Sequence, residues 1–411
     1  MRRRDWLSVT LGCAATLVAC GADDDGNASG ETETTVSSTE ATDPTGPSSS
    51  NPSSSDPSGD PTTASNTTPG TTTPGDTSDS SADSTTEVDP GEPAVHYVGR
   101  YDDSDPTHVR MGWSGVGFVV RFTGTGATAR IDDQGQYLTV VVDGAVQPTV
   151  TTGGGEQDYV LATGLPDGEH VIEVYRRTEG SFGSTTIVDV TLEGELLPPP
   201  AVDRRIEIVG DSITCGYGNE GISPCGFTAD TENHYMTYGA IAAREVGAEL
   251  HTIAWSGKGI IFNYGEDTNQ PMPELYDRII AGEEPSWDYA QWQPDVVAIN
   301  LGTNDFSTDG DPTQQQYVDA YVAFVTHIRE VNPDAYILLL SPSLFGDEAT
   351  MVDGYLQDVV DARMGAGDTA IGWANINVEW IGSGCDGHPT VETHQGMAAR
   401  LVEELGAHVG W

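Results

Sequence analysis

The chain has 411 residues, with 64 Asp and Glu against 17 Lys and Arg, a formal net charge of -47 at pH 7. This length suffices for two ordinary domains, each with its own hydrophobic core. The electrostatic field of such a negative chain repels nucleic acid and anionic lipid headgroups, which argues against both as binding partners. The charge is compatible with a neutral substrate.

The N-terminus has the pattern of a secretory signal peptide. Arginines follow Met1, and an apolar stretch from Leu7 to Ala19 is too short to cross a bilayer comfortably. The stretch runs into LVAC, ending at Cys20, which is similar to the lipobox of bacterial lipoproteins. We therefore expect a signal peptide over 1–20 and a secreted protein anchored by lipid on Cys20 to the bacterial cell envelope, at the outer membrane or cell surface. The alternative is an ordinary signal peptide with an incidental cysteine.

The remaining cysteines predict one disulfide. If Cys13 leaves with the signal and Cys20 carries lipid, then Cys215, Cys225 and Cys385 remain. An odd number in an oxidising compartment indicates one disulfide and one buried thiol, with the pairing left open. The spacing matches no zinc-binding pattern, so no metal site is predicted.

The segment 21–93 is predicted to be a disordered linker. It consists almost entirely of Ser, Thr, Pro, Gly, Asp, Asn and Glu. Such a composition cannot bury enough apolar surface to offset chain entropy. A flexible tether of this length has a reach on the order of 45 Å.

The segment 94–197 is predicted to be all-β. Short runs of alternating apolar and polar residues are separated by Gly, Asp and Pro, with a turn signal at Asp143-Gly144. Strands at this spacing indicate a β-sandwich of jelly-roll type. Three prolines at 198–200 form a stiff joint after it. The clearest predicted strands lie at 117–122, 137–142, 170–175 and 186–190.

The segment 204–411 alternates buried strands with amphipathic helices. This rhythm predicts an α/β domain of three layers, in which helices cover both faces of a parallel sheet. Ligands of such sheets bind at the carboxyl ends of the strands. The predicted strands are 206–209, 251–255, 296–301, 336–340 and 371–376, and the predicted helices are 235–246, 273–280, 314–331, 351–364 and 391–405.

Polar residues that could take part in catalysis follow several of these strands. The first strand runs into GDS, which places Ser212 beside the start of a helix, where a nucleophile is exposed and backbone N–H groups favour an oxyanion. Gly257 follows the second strand and Asn304 the third. Asp386 and His388 share a loop before the last helix, as a general base and its orienting carboxylate require. Each residue alone has an ordinary alternative as a helix cap, a loop residue or a buried polar side chain. Their meeting at one edge of the sheet favours a catalytic site.

The four segments carry a family resemblance. The runs GDSITCGYG, WSGKG, GTND and DGHP look like the four blocks of SGNH or GDSL hydrolases. With a preceding jelly roll they resemble family-2 carbohydrate esterases, a resemblance that covers roughly 95–411. It implies Ser212 as nucleophile, His388 as general base, and an oxyanion hole formed by the N–H groups of Ser212 and Gly257 and the Asn304 side chain. No metal or organic cofactor is implied.

The resemblance implies less about the residues around the base. Asp386 would orient His388, but the wider pattern has its Asp three residues before the His, and here the separation is two. Some family-2 members are understood to use a Ser–His dyad with a backbone carbonyl orienting the imidazole. Gly387 stands where the family often has Trp. We therefore expect three aromatic residues to compensate by stacking on sugar, with core packing as the alternative: Tyr217, Trp255 and Trp380.

The sequence thus predicts a monomeric serine esterase that removes O-acetyl groups from plant-type polysaccharides or oligosaccharides through an acetyl-Ser212 intermediate. Acetylated xylan and glucomannan are the expected substrates. Two alternatives remain open at this level: another SGNH activity, such as that of a lipase or thioesterase, and a non-catalytic glycan-binding surface lipoprotein.

Overall fold

The computed structural model of the chain describes residues 91–411. The predicted signal peptide, the predicted lipidation site Cys20 and all but the last residues of the predicted linker lie outside that part. Within it, the helices are all too short or too polar to cross a membrane.

The N-terminal region is a large antiparallel sheet of ten strands. Its main path runs β2-β3-β10-β4-β9-β5-β6, and the 18-residue strand β4 also pairs with β1 and β8. The predicted strands 117–122, 137–142, 170–175 and 186–190 are confirmed as parts of β4, β5, β9 and β10. The strands are β1 His96–Val98, β2 Tyr101–Asp102, β3 Val109–Met111, β4 Gly117–Gln134, β5 Tyr137–Val142, β6 Ala145–Val146, β7 Val150–Thr151, β8 Gly154–Ala162, β9 Gly168–Arg176 and β10 Thr185–Leu197.

The C-terminal region is a parallel sheet of five strands with helices between them, the arrangement of an SGNH hydrolase fold. The strand order is β12-β11-β13-β14-β15, and all five predicted strands are present. The strands are β11 Arg205–Gly210, β12 Glu249–Ala254, β13 Val296–Asn300, β14 Tyr336–Leu340 and β15 Ile371–Ala374. The helices are α1 Ser212–Cys215, α2 Tyr238–Val246, α3 Met272–Leu275, α4 Gln314–Val331, α5 Gly346–Gly365 and α6 Val391–Val409.

Four of the five predicted helices have different bounds. Helix α2 begins three residues after its predicted start, α6 ends four residues after its predicted end, and α3 and α5 differ by more. The helix predicted over 273–280 is only the short α3, because the chain soon turns into an isolated β-bridge between Arg278 and Ser286. Helix α5 begins five residues before the predicted start at 351. Asp347 and Glu348 in its first turn favour that earlier start by complementing the helix dipole.

Alternating side chains of the parallel sheet build two cores. Ile206, Ile208 and Leu338 face α2 and α6, whereas Val209 and Leu339 belong to the other core, which α4 and α5 cover. The second of these cores is continuous with the buried apolar side chains of the antiparallel sheet. The two regions therefore share one hydrophobic core.

A buried ion pair also joins the two regions. Arg100, just after β1, donates to the Glu207 carboxylate at 3.0 Å, and both side chains are buried. The same guanidinium donates to the backbone carbonyls of Tyr276 and Arg278 and lies 4.9 Å from the Tyr276 ring centroid. The Tyr276 hydroxyl donates to the other Glu207 oxygen at 2.6 Å. Both charges thus have several partners. A buried ion pair needs such additional hydrogen bonds to offset the free-energy cost of its desolvation.

We expect Arg100→Met to destabilise the protein by about 3–5 kcal/mol, because it leaves the Glu207 carboxylate buried without its cation. Urea unfolding followed by fluorescence measures the loss. The matched control is Arg130→Met, which breaks exposed pairs with Asp158 and Glu156 and should cost far less stability because solvent screens such pairs. Equal losses in the two variants would contradict a special role for the buried pair.

Candidate active site

The register of the parallel sheet determines where the candidate site forms. Gly210, the last residue of β11, pairs with Ala254 of β12 on one side and with Asn300 of β13 on the other. The three strands therefore end at the same level. The segments that carry Ser212, Gly257 and Asn304 leave the sheet side by side, as predicted for this edge.

Ser212 is the first residue of helix α1. Asp211 caps this helix: its backbone is extended, and its carboxylate accepts a hydrogen bond from the Ile213 N–H at 3.0 Å. The helix ends after one turn because Gly216 adopts a left-handed conformation, with φ of 87°. Ser212 is therefore held on a tight turn, and its side chain is largely buried.

His388 contacts the serine. Its Nε2 lies 2.8 Å from the Ser212 Oγ, within hydrogen-bond distance. Burial lowers the pKa of His388, and the backbone carbonyls of Cys385 and Asp386 oppose that shift. A neutral imidazole at this position can accept the serine proton. Within residues 91–411, however, its Nδ1 makes no hydrogen bond of standard geometry, so those carbonyls act on the imidazole from less favourable positions.

Asp386 binds to a different part of the site. Its Oδ2 accepts hydrogen bonds from the Tyr217 hydroxyl and the Phe227 backbone N–H, both at 2.9 Å. Its backbone is left-handed, with φ of 50°, and only one residue separates it from His388. The carboxylate is thus engaged with the loop after α1, and the hydrogen bond from His388 Nδ1 to Asp386 expected from the sequence is not formed. This geometry favours the Ser–His dyad alternative.

A disulfide ties the base-bearing loop to the same loop after α1. Cys225 and Cys385 are bonded, and Cys215 is a buried free thiol, so the prediction of one disulfide and one buried thiol is confirmed. Backbone hydrogen bonds reinforce the link, from Asp386 N to Cys225 O at 2.9 Å and from Cys385 N to Gly218 O at 3.0 Å. His388 therefore sits on a loop that is fastened to the loop after α1.

The predicted oxyanion donors lie on neighbouring loops. Gly257 has a left-handed backbone, with φ of 78°, which favours glycine at this position. The buried Asn304 amide donates to the Lys258 carbonyl at 2.9 Å and lies 3.4 Å from the Asp211 carboxylate, next to Ser212. The structure thus brings Asn304 and the Gly257 loop together beside the serine.

Asp305 is a supporting residue to which the sequence analysis gave no role. Its carboxylate accepts hydrogen bonds from the backbone N–H groups of Ile260, Ile261 and Phe262, at 2.7–3.0 Å. Burial raises its pKa to about 6. It fixes the loop that contains Gly257, and the only sequence signal for it was its place directly after Asn304.

The three aromatic residues predicted to contact sugar lie in different surroundings. The Tyr217 ring lies 4.2 Å from the His388 imidazole and stacks at 4.0 Å on Phe227, a neighbour that the sequence analysis missed. Trp255 is half-buried directly before the Gly257 loop. Trp380 is half-buried too and meets an exposed phenylalanine edge-on at 5.1 Å. Of these three aromatic residues, Tyr217 is the one whose ring contacts His388.

A cavity of about 270 Å³ lies elsewhere, between the antiparallel sheet and helix α2. Tyr175, Tyr235 and Arg244 are among its lining residues, and neither Ser212 nor His388 is. The reactive residues are therefore not at the bottom of this cavity.

Comparisons with known proteins agree with this arrangement. Two family models match the chain: "Carbohydrate esterase 2 N-terminal" over residues 97–200 and "GDSL-like Lipase/Acylhydrolase family" over residues 208–395. The cellulase/esterase CelE of Acetivibrio thermocellus is 36% identical over 338 residues, which cover 80% of this chain. The chain spans only 41% of that relative's length.

Two further similarities extend over nearly the whole of the other chain. An acetylxylan esterase / glucomannan deacetylase of Cellvibrio japonicus is 26% identical over 336 residues, 80% of this chain and 92% of that protein. The solved structure of a family two carbohydrate esterase from Clostridium thermocellum, in complex with cellohexaose, is 36% identical. It matches with a TM-score of 0.74, over 77% of this chain and all of that one.

We expect Asp386→Asn to lower kcat/KM on 4-nitrophenyl acetate by less than about tenfold, because an Asn oxygen can still accept the hydrogen bonds from Tyr217 and Phe227. His388→Ala is the reference variant and should lose several powers of ten. An orienting carboxylate changed to an amide typically loses about 10⁴ in kcat. A loss of that size in Asp386→Asn would establish a triad and contradict the dyad geometry.

Proposed function

The chain belongs to carbohydrate esterase family 2, and from that membership we propose that it removes O-acetyl groups from acetylated polysaccharides or oligosaccharides. The family makes it a carboxylic ester hydrolase with a GDSL acylhydrolase domain. The observation that carries the proposal is the 2.8 Å contact between Ser212 Oγ and His388 Nε2 at the carboxyl edge of the parallel sheet. That contact is the minimum that nucleophilic catalysis by serine requires.

The proposed reaction has two acyl-transfer steps. His388 takes the Ser212 proton as the serine oxygen attacks the acetyl carbonyl, and the N–H groups of Ser212 and Gly257 and the Asn304 amide stabilise the oxyanion. As the bond between the acetyl carbon and the sugar oxygen breaks, His388 donates the proton to that oxygen, and water hydrolyses the acetyl-enzyme by the same route. Because burial lowers the pKa of His388, the imidazole is neutral and able to act as base at pH 7. The scheme uses no metal or organic cofactor.

The relatives support a carbohydrate substrate. One is named for acetylxylan and glucomannan, and the solved family member holds cellohexaose. We propose Tyr217, Trp255 and Trp380 as aromatic contacts for sugar rings, with the open position at Gly387 widening the site. We also propose that the antiparallel sheet folds as a jelly-roll sandwich over 94–197, that 204–411 is the catalytic domain, and that the protein acts as a monomer.

The test is acetate release from acetylated xylan and acetylated glucomannan. We expect turnover by the wild type and none above background by Ser212→Ala. Ser343→Ala, which alters another buried serine beyond the end of a strand of the same sheet, should retain activity. No acetate release from any acetylated substrate would contradict the proposal.

Two assays of the purified protein distinguish the alternative functions, which are a lipase-type activity and glycan binding without catalysis. On 4-nitrophenyl esters of increasing chain length, a deacetylase loses activity beyond acetate, whereas a lipase gains it. If the protein binds glycan without catalysis, an active-site serine probe will not label Ser212.

We further propose that the protein is secreted and anchored to the bacterial cell envelope through lipid on Cys20, with 21–93 as its tether. The apolar run ending in LVAC and the polar composition after it support this. Acylation would place the catalytic region at the membrane without any spanning helix.

We expect palmitate labelling of the full chain in a bacterial host, with loss of label and release from membranes in Cys20→Ser. Cys13→Ser, within the signal peptide, is the matched control and should behave as the wild type. Unchanged membrane association of Cys20→Ser would contradict lipid anchoring.

A further inference from the structure

A carboxylate from the antiparallel region reaches the loop that carries the oxyanion donor. Glu179 lies just after β9 and is only 4% exposed. One of its oxygens accepts a hydrogen bond from the Ser256 backbone N–H at 2.6 Å, and the other accepts from the Ser181 hydroxyl at 2.6 Å. Ser256 directly precedes Gly257, so a residue outside the α/β region contacts the catalytic loop.

We propose that Glu179 is a positioning residue for ester hydrolysis, fixing the oxyanion loop at Ser256 and placing a negative charge near His388. The inference rests on the proposed function, and it assigns the antiparallel region a part in the chemistry besides any contact with glycan.

The first part of the argument is mechanical. The Gly257 loop is held after the glycine by the hydrogen bond from Tyr264 N to Gly257 O at 2.8 Å, and further along by the Asp305 carboxylate. Before the glycine, Trp255 N donates to Gly210 O at a longer 3.3 Å. The short contact from Glu179 therefore fixes Ser256. The peptide group that follows Ser256 carries the Gly257 N–H, which is the proposed oxyanion donor. An oxyanion donor must be fixed before the reaction if it is to stabilise the transition state.

The second part concerns the charge of Glu179. Its backbone N–H donates to the carboxyl group of Glu232 at 3.2 Å. Burial raises the pKa of Glu232 well above its usual range, and the neighbouring charge of Glu179 raises it further. The surroundings of Glu232 therefore favour its protonated form, whereas both oxygens of Glu179 accept hydrogen bonds.

Cys215 lies in the same cluster, with ligand atoms of the three side chains within 4.8 Å of one another. Both Glu179 oxygens are already occupied by donors, and the Arg176 guanidinium donates to the Glu179 carbonyl at 2.6 Å. These contacts show that protein donors, and not a cation, satisfy the Glu179 carboxylate.

The third part concerns the base. The charges of Asp386 and Glu179 both raise the pKa of His388, against the larger effect of burial. On the side of α6, His388 faces the buried His394. Burial lowers the pKa of His394 to about 3, so the His394 ring is neutral. His388 becomes an imidazolium during the attack, and a nearby negative charge stabilises that form. The charges of Asp386 and Glu179 therefore both favour the imidazolium form of His388, and the effect of Asp386 is the larger.

The test uses Glu179→Gln, which keeps the size of the side chain and an oxygen acceptor but removes the charge. On 4-nitrophenyl acetate we expect kcat to fall by roughly ten- to a hundredfold with KM within about twofold. The acid limb of the kcat/KM profile should move to lower pH, because without the charge His388 loses its proton at a lower pH. The matched control is Glu173→Gln, a carboxylate on β9 that accepts from the Tyr175 hydroxyl, and it should leave both quantities unchanged.

A second variant guards against a purely structural effect. Glu232→Gln mimics the protonated acid, so it should leave the acid limb in place even if it lowers the melting temperature. Wild-type kcat and pH profile in Glu179→Gln would overturn the inference while leaving the proposed function intact. A loss of kcat without any shift of the acid limb, or a shift in Glu232→Gln, would also overturn it. An inactive wild type would instead overturn the proposed function.

Discussion

The arrangement of the site depends on one constraint, the register of β11 between β12 and β13. Because Gly210 pairs with Ala254 and with Asn300, the loops after three strands begin at one level and must share the same edge of the sheet. A slip of one residue in either pairing would turn the buried side chains of a strand to the opposite face and move its loop away from the others. The two apolar cores on the faces of the sheet therefore hold the register, and through it the neighbourhood of Ser212, Gly257 and Asn304.

His388 reaches this edge on a longer loop. That loop connects β15 to α6, His388 lies fourteen residues beyond the end of β15, and a disulfide and backbone hydrogen bonds connect the loop to the loop after α1. Asp386 belongs to the same connection, since its carboxylate binds Tyr217 and Phe227. The serine is thus placed by the sheet and the histidine by loops, and the 2.8 Å contact between them joins the two systems.

The sequence predicted the parts of this structure that depend on local patterns. Five apolar strands with helices between them imply a parallel sheet, and parallel strands place their following residues at one edge, so Ser212, Gly257 and Asn304 could be brought together without coordinates. The partner of Asp386 could not be predicted, because it depends on how a loop far away in the sequence folds back over it. The pairing of Cys225 with Cys385 has the same origin. Glu179 lies in a β-rich segment with no motif around it, and only the packing of the two regions shows what its carboxylate contacts.

The core shared by the two regions bears on how such a protein can evolve. Carbohydrate-active enzymes are often thought of as assemblies of exchangeable modules joined by linkers. Here the antiparallel region contributes apolar side chains to the core beneath the parallel sheet and supplies Arg100 to a carboxylate within that sheet. Replacing it with an unrelated β-sandwich would expose one face of the remaining protein and leave Glu207 without its cation. A cut at the triple proline would therefore separate two regions that depend on each other for their stability, so we expect the pair to be exchanged between proteins only as one unit.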